Sequence, residues 1–150
     1  VQRRDPLDLA AALREVLDLY RGVPGLTVEI DARDHPPPVL GDPDEMRRVL
    51  VNLAGNAIEA LDGAPGTLSG RLDVEPDAVV VTIADDGPGI APEALPHLFE
   101  PNFSTKTGGT GLGLAICKRA VEDLGGSIGV DSRPGAGTRV IVRLPRAPGI

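Results

Sequence analysis

The sequence predicts an α+β protein: a two-layer α/β sandwich whose mixed, largely antiparallel sheet is covered by helices on one face. Three observations predict it. Helical and strand periodicities interleave along the chain as helix, strand, helix, two strands, short helix, long loop, helix, two strands. Adjacent strand pairs are joined by tight turns, which makes them antiparallel hairpins. The strand before Asp85 (AVVVTIAD) is nearly all apolar, as expected of a strand covered on both faces.

The elements follow in order. Residues 7–21 carry Leu9, Leu13, Val16 and Leu17 at helical spacing, extended by Leu19 and Tyr20. Asp8 is a candidate cap, and Gly22 and Pro24 stop this helix. Leu26, Val28 and Ile30 alternate with Thr27, Glu29 and Asp31, which reads as a strand with one buried face. Pro36-Pro37-Pro38 continues neither pattern and forms a stiff connector. Asp42-Pro43 starts the next helix, with the cap before a proline at the first helical position. That helix runs to about Asp62-Gly63 with an apolar stripe of Met46, Val49, Leu50, Leu53, Ala57 and Leu61. Strands are predicted over 67–75 and 78–85, turning at Pro76-Asp77. A short helix spans Pro92 to Phe99, an aperiodic loop spans 100–111, and a helix from Leu112 to Leu124 ends at Gly125-Gly126. Ser127–Asp131 and Thr138–Leu144 are the closing strands, joined by the turn Arg133-Pro134-Gly135.

Composition narrows the function. A length of 150 residues suits one domain, and 41% hydrophobic with 25% charged residues suits a soluble globular one. The net charge of −7 argues against a nucleic-acid binder and against a basic membrane-surface protein. Aromatic residues are 2%, too few for a base-stacking surface, so the core must be aliphatic. The single cysteine, Cys117, excludes an internal disulfide framework and a cysteine-rich metal site, and its apolar helix face marks it as core. No apolar run approaches the roughly 20 residues of a membrane helix, and no signal peptide opens the chain. A first residue of Val1 reads as a piece of something longer.

Three segments carry chemistry. On the helix 43–62, Asn52, Asn56 and Glu59 share a face centred roughly 120° from the apolar stripe. Amide oxygens suit Mg²⁺, which takes few protein ligands and leaves phosphates to complete its shell; a plain polar flank has the same spacing. Asp85-Asp86-Gly87-Pro88-Gly89-Ile90 follows the apolar strand directly. A carboxylate there needs donors, such as an adenine amino group, and the glycines let backbone approach a flat ligand; an Asp-Gly turn is the simpler alternative. Gly108-Gly109-Thr110-Gly111-Leu112-Gly113-Leu114 opens the last helix beside Lys106. Free N–H groups and the helix dipole make such a segment an anion site; a loop ending in a helix cap is again the simpler alternative. G-x-x-x-x-G-K-[ST] is absent, the glycines follow a loop rather than a strand as a dinucleotide fingerprint would require, and the protein-kinase glycine loop is absent too.

Taken together, in this order and spacing, the segments resemble the ATP-binding catalytic domain of sensor histidine kinases. That domain has the Bergerat fold shared with the gyrase B subunit, MutL and heat-shock chaperone ATPases. N-L-A-G-N-A-I-E-A-L resembles the asparagine box, D-D-G-P-G-I the first glycine box and L-F-E-P-N-F-S-T-K the phenylalanine segment before the lid. G-G-T-G-L-G-L-A-I resembles the second glycine box and G-A-G-T-R-V-I-V-R-L-P the closing strand. The resemblance covers roughly 5–146 and is greatest to the nitrogen-regulator type.

The resemblance implies roles. Asn56 would ligate Mg²⁺, with Asn52 supporting phosphates or metal, and Lys106 on the lid would reach the terminal phosphates. Asp85 would accept from the adenine amino group, with Gly87, Gly89 and Ile90 shaping the base site and Thr138 holding the base through water. Gly109, Thr110, Gly111, Leu112 and Gly113 would present backbone to the phosphates. The implied activity is transfer of the γ-phosphoryl group of Mg-ATP to a histidine on a separate dimerisation domain, in two-component signal transduction through a response regulator receiver domain. The implied setting is the cytoplasm, free or as the cytoplasmic part of a membrane-bound sensor, with no nucleic acid and no direct membrane contact. The fragment would be a monomer and the full protein a homodimer, with residues 1–150 one catalytic domain.

Some positions depart from the family. Asn102 stands where many relatives have a second aromatic, and Glu59 where many kinases have Lys or Arg, although the nitrogen-regulator type often carries Glu there. Asn52 stands where gyrase-type ATPases carry a catalytic Glu, which favours a phosphotransferase over a hydrolase. His35 and His97 lack the context of the phosphoacceptor. The rivals are a Bergerat-fold serine kinase acting on an anti-sigma antagonist, a nucleotide-sensing module without catalysis, and a gyrase-type hydrolase.

Overall fold

The computed structural model describes residues 4–100 and 113–148. Strand β1 (Asp5–Leu7) precedes helix α1 (Leu9–Asp18), followed by β2 (Leu26–Asp31), β3 (Val39–Gly41) and helix α2 (Pro43–Leu61). Strands β4 (Gly66–Val74) and β5 (Ala78–Asp85) come next, then a 3₁₀ turn at Leu95–His97 and helix α3 (Gly113–Asp123). Strands β6 (Ser127–Ser132) and β7 (Thr138–Pro145) complete the chain. Five strands form one sheet in the order β2-β4-β5-β7-β6, parallel only between β2 and β4.

Caps fix the helix starts. The Asp8 carboxylate accepts from the Ala11 N–H at 3.0 Å, so α1 begins at Leu9 and frees Leu7 for β1. The Asp42 carboxylate accepts from the N–H groups of Asp44 and Glu45, with Pro43 in the first turn. Gly125 adopts φ +84° past the end of α3, and the Gly126 N–H returns to the Val121 carbonyl at 3.0 Å.

Helices α1, α2 and α3 pack on one face of the sheet. Leu13 and Leu17 of α1, Leu50 and Leu53 of α2 and Val121 of α3 meet Leu68, Ile83 and Leu144 of the sheet, each at most 1–2% exposed. Each such aliphatic side chain contributes roughly 1.5–3 kcal/mol on burial, which lets this core do without aromatic rings.

Three expectations change. Among the described residues, β5 is not covered on both faces by layers of structure. Its outward Val80 is buried within the sheet, between Asp73 of β4 and Arg143 of β7 in register, and long flanking side chains replace a second layer. The helix expected over 92–99 is only the 3₁₀ turn Leu95–His97, because Pro96 cannot donate the N–H that an α-helix begun at Pro92 would need. The connector 36–38 leads into a strand. β3 pairs antiparallel with β1 as a separate two-stranded sheet, Pro6 opposite Leu40; three-residue strands are too short to display a period.

Candidate functional site

The site is built from register. On the helix-facing side of the sheet, Leu68 of β4 stands opposite Asp85 of β5, Asp85 opposite Thr138 of β7, and Thr138 opposite Ser132 of β6. Directly opposed residues share a face, so these four side chains form one row at the end of the sheet. The neighbouring row is Gly70, Ile83, Val140 and Val130, which belongs to the apolar core. Polarity therefore appears abruptly where the strands leave the core.

The segment after β5 closes over this row. The Asp85 carboxylate accepts from the Gly87 N–H at 2.9 Å. Asp86 turns the other way, and its carboxylate accepts from the Thr67 N–H at 2.8 Å on the neighbouring strand. The Ile90 N–H donates to the Ser132 hydroxyl at 2.9 Å, and the Gly135 N–H donates to the Pro88 carbonyl at 2.7 Å. Ser132 also donates to the Gly137 carbonyl at 2.9 Å and meets the Thr138 hydroxyl at 2.8 Å. The Gly-rich turn after β5 is thus fastened to the β6–β7 turn.

Two glycines permit that closeness. Gly89 (φ +78°) and Gly137 (φ +76°) both hold left-handed backbone. A Cβ on Gly89 would collide with the Arg133 carbonyl, and one on Gly137 with the Asp85 carbonyl.

Helix α2 supplies the flank. Asn52 and Asn56 are half-buried one turn apart, and Glu59 is exposed. Among the described residues the Asn56 amide has no hydrogen-bond partner. Asn52 faces α3, where it lines a shallow groove of about 140 Å³ with Arg48, Ile116 and Arg119. Its side chain reaches Cys117, whose pKa burial pushes up to about 11, the Asn52 hydrogen bond acting the other way. The Cys117 thiol donates to the Val49 carbonyl at 3.8 Å. This groove lies between the helices and not at the Asp85 row.

Lys106, Gly109, Thr110, Gly111 and Leu112 lie outside the described residues, and Gly113 is the first residue of α3. Phe99, from the segment leading toward them, receives the Lys118 ammonium of α3 at 5.6 Å from its ring centroid. His97 pairs with Glu100 at 2.9 Å, and exposed His35 lies 3.9 Å from Asp8. Neither histidine belongs to the row.

Residues 41–148 match the family described as histidine kinase-, DNA gyrase B-, and HSP90-like ATPase. The chain belongs to that family. Within this ATPase family it groups with the catalytic domains of sensor histidine kinases. The sensor histidine kinase ZraS of Salmonella typhimurium is 44% identical over 108 residues, which are 71% of this chain and 23% of that protein. The chain thus spans about a quarter of the length of the curated relatives it matches. The solved catalytic domain of histidine kinase ThkA has a TM-score of 0.85 and 32% identity, covering 97% of each chain. Full-length ShkA in complex with AMPPNP has a TM-score of 0.84 and 31% identity, over 97% of this chain and 32% of that one. ThkA in complex with the response regulator protein TrrA has a TM-score of 0.83 and 29% identity, over 99% of this chain and 43% of that one.

As an ATPase-family domain, the chain brings Asp85, Gly87, Gly89, Ile90 and Thr138 together around one end of the sheet, with α2 alongside. The sequence reading missed Ser132, the hub of this arrangement, because it ended the strand at Asp131. The available signal was phase: Ile128, Val130 and Ser132 alternate onto one face, and a polar third member of an apolar series marks the end of the core.

Proposed function

We propose that this chain is the catalytic domain of a longer histidine kinase, residues 1–150 forming one ATP-binding unit. It would bind Mg-ATP and present the γ-phosphoryl group to a histidine on a separate dimerisation domain. The β–γ phosphorus–oxygen bond breaks, a phosphorus–nitrogen bond forms on the imidazole, ADP leaves and the ring proton goes to solvent. A response regulator receiver domain then takes the phosphoryl group, in the two-component manner. The reading places this chemistry in the cytoplasm, and no helix among the described residues is long and apolar enough to cross a membrane.

One observation carries the reading. The Asp85–Thr138 pair lies at the edge of the apolar core, beneath a turn in which a Cβ on Gly89 would strike the Arg133 carbonyl. A flat base with a donor edge fits such a wall: rings against aliphatic side chains, amino group toward the carboxylate. The donor set suits Mg²⁺ as well. No group of three His, Cys, Asp or Glu that could hold a metal occurs among the described residues, and Mg²⁺ held largely by phosphates and water needs only an amide oxygen such as that of Asn56.

The work of the chain is positioning. Asp85 orients the base, Thr138 holds it through water, Asn56 offers a neutral oxygen to the metal, and Asn52 supports it one turn earlier. Bound Mg²⁺ neutralises charge on the phosphates. Gly109, Thr110, Gly111, Leu112 and Gly113 would present N–H groups to the phosphates, with Lys106 at the terminal one. Asn52 provides no carboxylate to activate water, which favours transfer over hydrolysis.

Calorimetric titration with ATP and ADP, with and without Mg²⁺, tests binding, and acid-labile phosphohistidine in the full-length protein tests transfer. Saturable binding lost in Asp85→Ala is the expected result. Phosphoserine on a partner, or steady phosphate release by the chain alone, would replace the kinase reading by a rival one.

A further inference from the structure

We infer that Ser132 is a positioning residue: it fixes the hydrogen-bond polarity of Thr138, makes the Asp85–Thr138 wall acceptor-only, and thereby selects a 6-aminopurine over a 6-oxopurine. The inference rests on the nucleotide reading above and adds the residue that sets base specificity.

A serine hydroxyl has one proton to give and two lone pairs to receive with. Ser132 has three partners. The Ile90 N–H, at 2.9 Å, can only donate. The Gly137 carbonyl, at 2.9 Å, can only accept, and Gly137 is buried, so its oxygen needs a donor. These two use the Ser132 proton and one lone pair. The third contact, 2.8 Å to the Thr138 hydroxyl, must therefore run from Thr138 to the remaining lone pair. The proton of Thr138 is committed toward β6, and its oxygen offers only lone pairs to anything else.

Directly opposite Thr138 stands Asp85, whose carboxylate accepts from the Gly87 N–H; an ionised carboxylate is an acceptor only. The wall is thus two acceptors side by side. An exocyclic amino group satisfies it, directly at one oxygen and through a water at the other. A 6-oxo group sets lone pairs against lone pairs and leaves both sides unpaired. Without Ser132, the Thr138 hydroxyl is free to rotate and donate, so the wall can meet either edge.

The same hydroxyl also anchors Ile90, so its loss loosens the turn. That effect weakens both nucleotides alike, whereas polarity changes their ratio. The test is calorimetric titration of the chain with ATP and ITP, for wild type, Ser132→Ala, Ser132→Thr and Thr138→Val, with thermal melts alongside. Wild type is expected to favour ATP by at least about tenfold, and Ser132→Ala to narrow the ratio by about tenfold. Ser132→Thr, which keeps the hydroxyl, should restore it. Should Ser132→Ala fail to fold, Thr138→Val carries the test, since it removes the acceptor and leaves Ser132 in place; it too should narrow the ratio. An unchanged ratio in the folded variants, or a wild type indifferent to the base, overturns the inference while leaving the nucleotide site standing. A folded wild type that binds neither nucleotide overturns the nucleotide reading, and the inference with it.

Discussion

Asp85 and Thr138 face each other as direct partners in the β5–β7 ladder, the next pair on the same face beyond the buried Ile83 and Val140. The functional polarity of the domain is thus a continuation of its core by one step. Small changes at this step should have distinct consequences for binding and for stability.

Asp85→Ala removes a partner of the Gly87 N–H and the proposed partner of the base. ATP affinity should fall by roughly 5- to 150-fold, the equivalent of about 1–3 kcal/mol. Calorimetry of the variant checks this, and wild-type affinity would take Asp85 out of the binding site.

Asn56→Ala should separate metal from base. Nucleotide binding without Mg²⁺ should persist, while the gain in affinity on adding Mg²⁺ and the formation of phosphohistidine should both disappear. Chelating Mg²⁺ from the wild type should give the same phenotype, which paired titrations with and without chelator will reveal.

Gly89→Ala and Gly135→Ala form an informative pair. Both glycines have positive φ, +78° and +79°, so each substitution costs about 1–2 kcal/mol of backbone strain. Only at Gly89 would the new Cβ also strike backbone, the Arg133 carbonyl, whereas nothing lies near the Cβ position of Gly135. Urea denaturation should rank Gly89→Ala as clearly the less stable, with loss of nucleotide binding in that variant alone.

Cys117 provides a pH test. Burial keeps its thiol protonated, up to about 11 against an ordinary value of 9.0. The folded chain then holds a proton that the unfolded chain releases above pH 9. The stabilisation is fully present below pH 9 and is lost as pH rises through about 11. The stability of the wild type relative to Cys117→Ala should therefore decline across that interval in urea titrations, and thiol alkylation near neutral pH should be slow until the chain unfolds.

Much of the fold was legible in the sequence. The stripe of α2 and the Asp42-Pro43 start located that helix, and the alternation of Leu26, Val28 and Ile30 located β2. The pair Asp5–Leu7 and Val39–Gly41 escaped, because three residues carry no period and Pro6 argues against a strand. The proximity of Asp85, Gly89 and Thr138 was expected from family resemblance alone. Ser132 was not expected: the phase of Ile128, Val130 and Ser132 marks it as the end of the core face, but its partners on the neighbouring strands are set by cross-strand register.

Leu68, Asp85, Thr138 and Ser132 come from both halves of the chain, so the row they form exists only after β5 has found β7 across a long intervening stretch. Such distant pairings close slowly in folding. Fraying of the β6–β7 hairpin dissolves the row even while α1 and α2 remain docked. A molecule seated there holds the closed sheet against its partly open forms, and amide hydrogen exchange slows along β5 and β7 together. Occupancy of one end of the sheet is thereby written into the cooperativity of the whole.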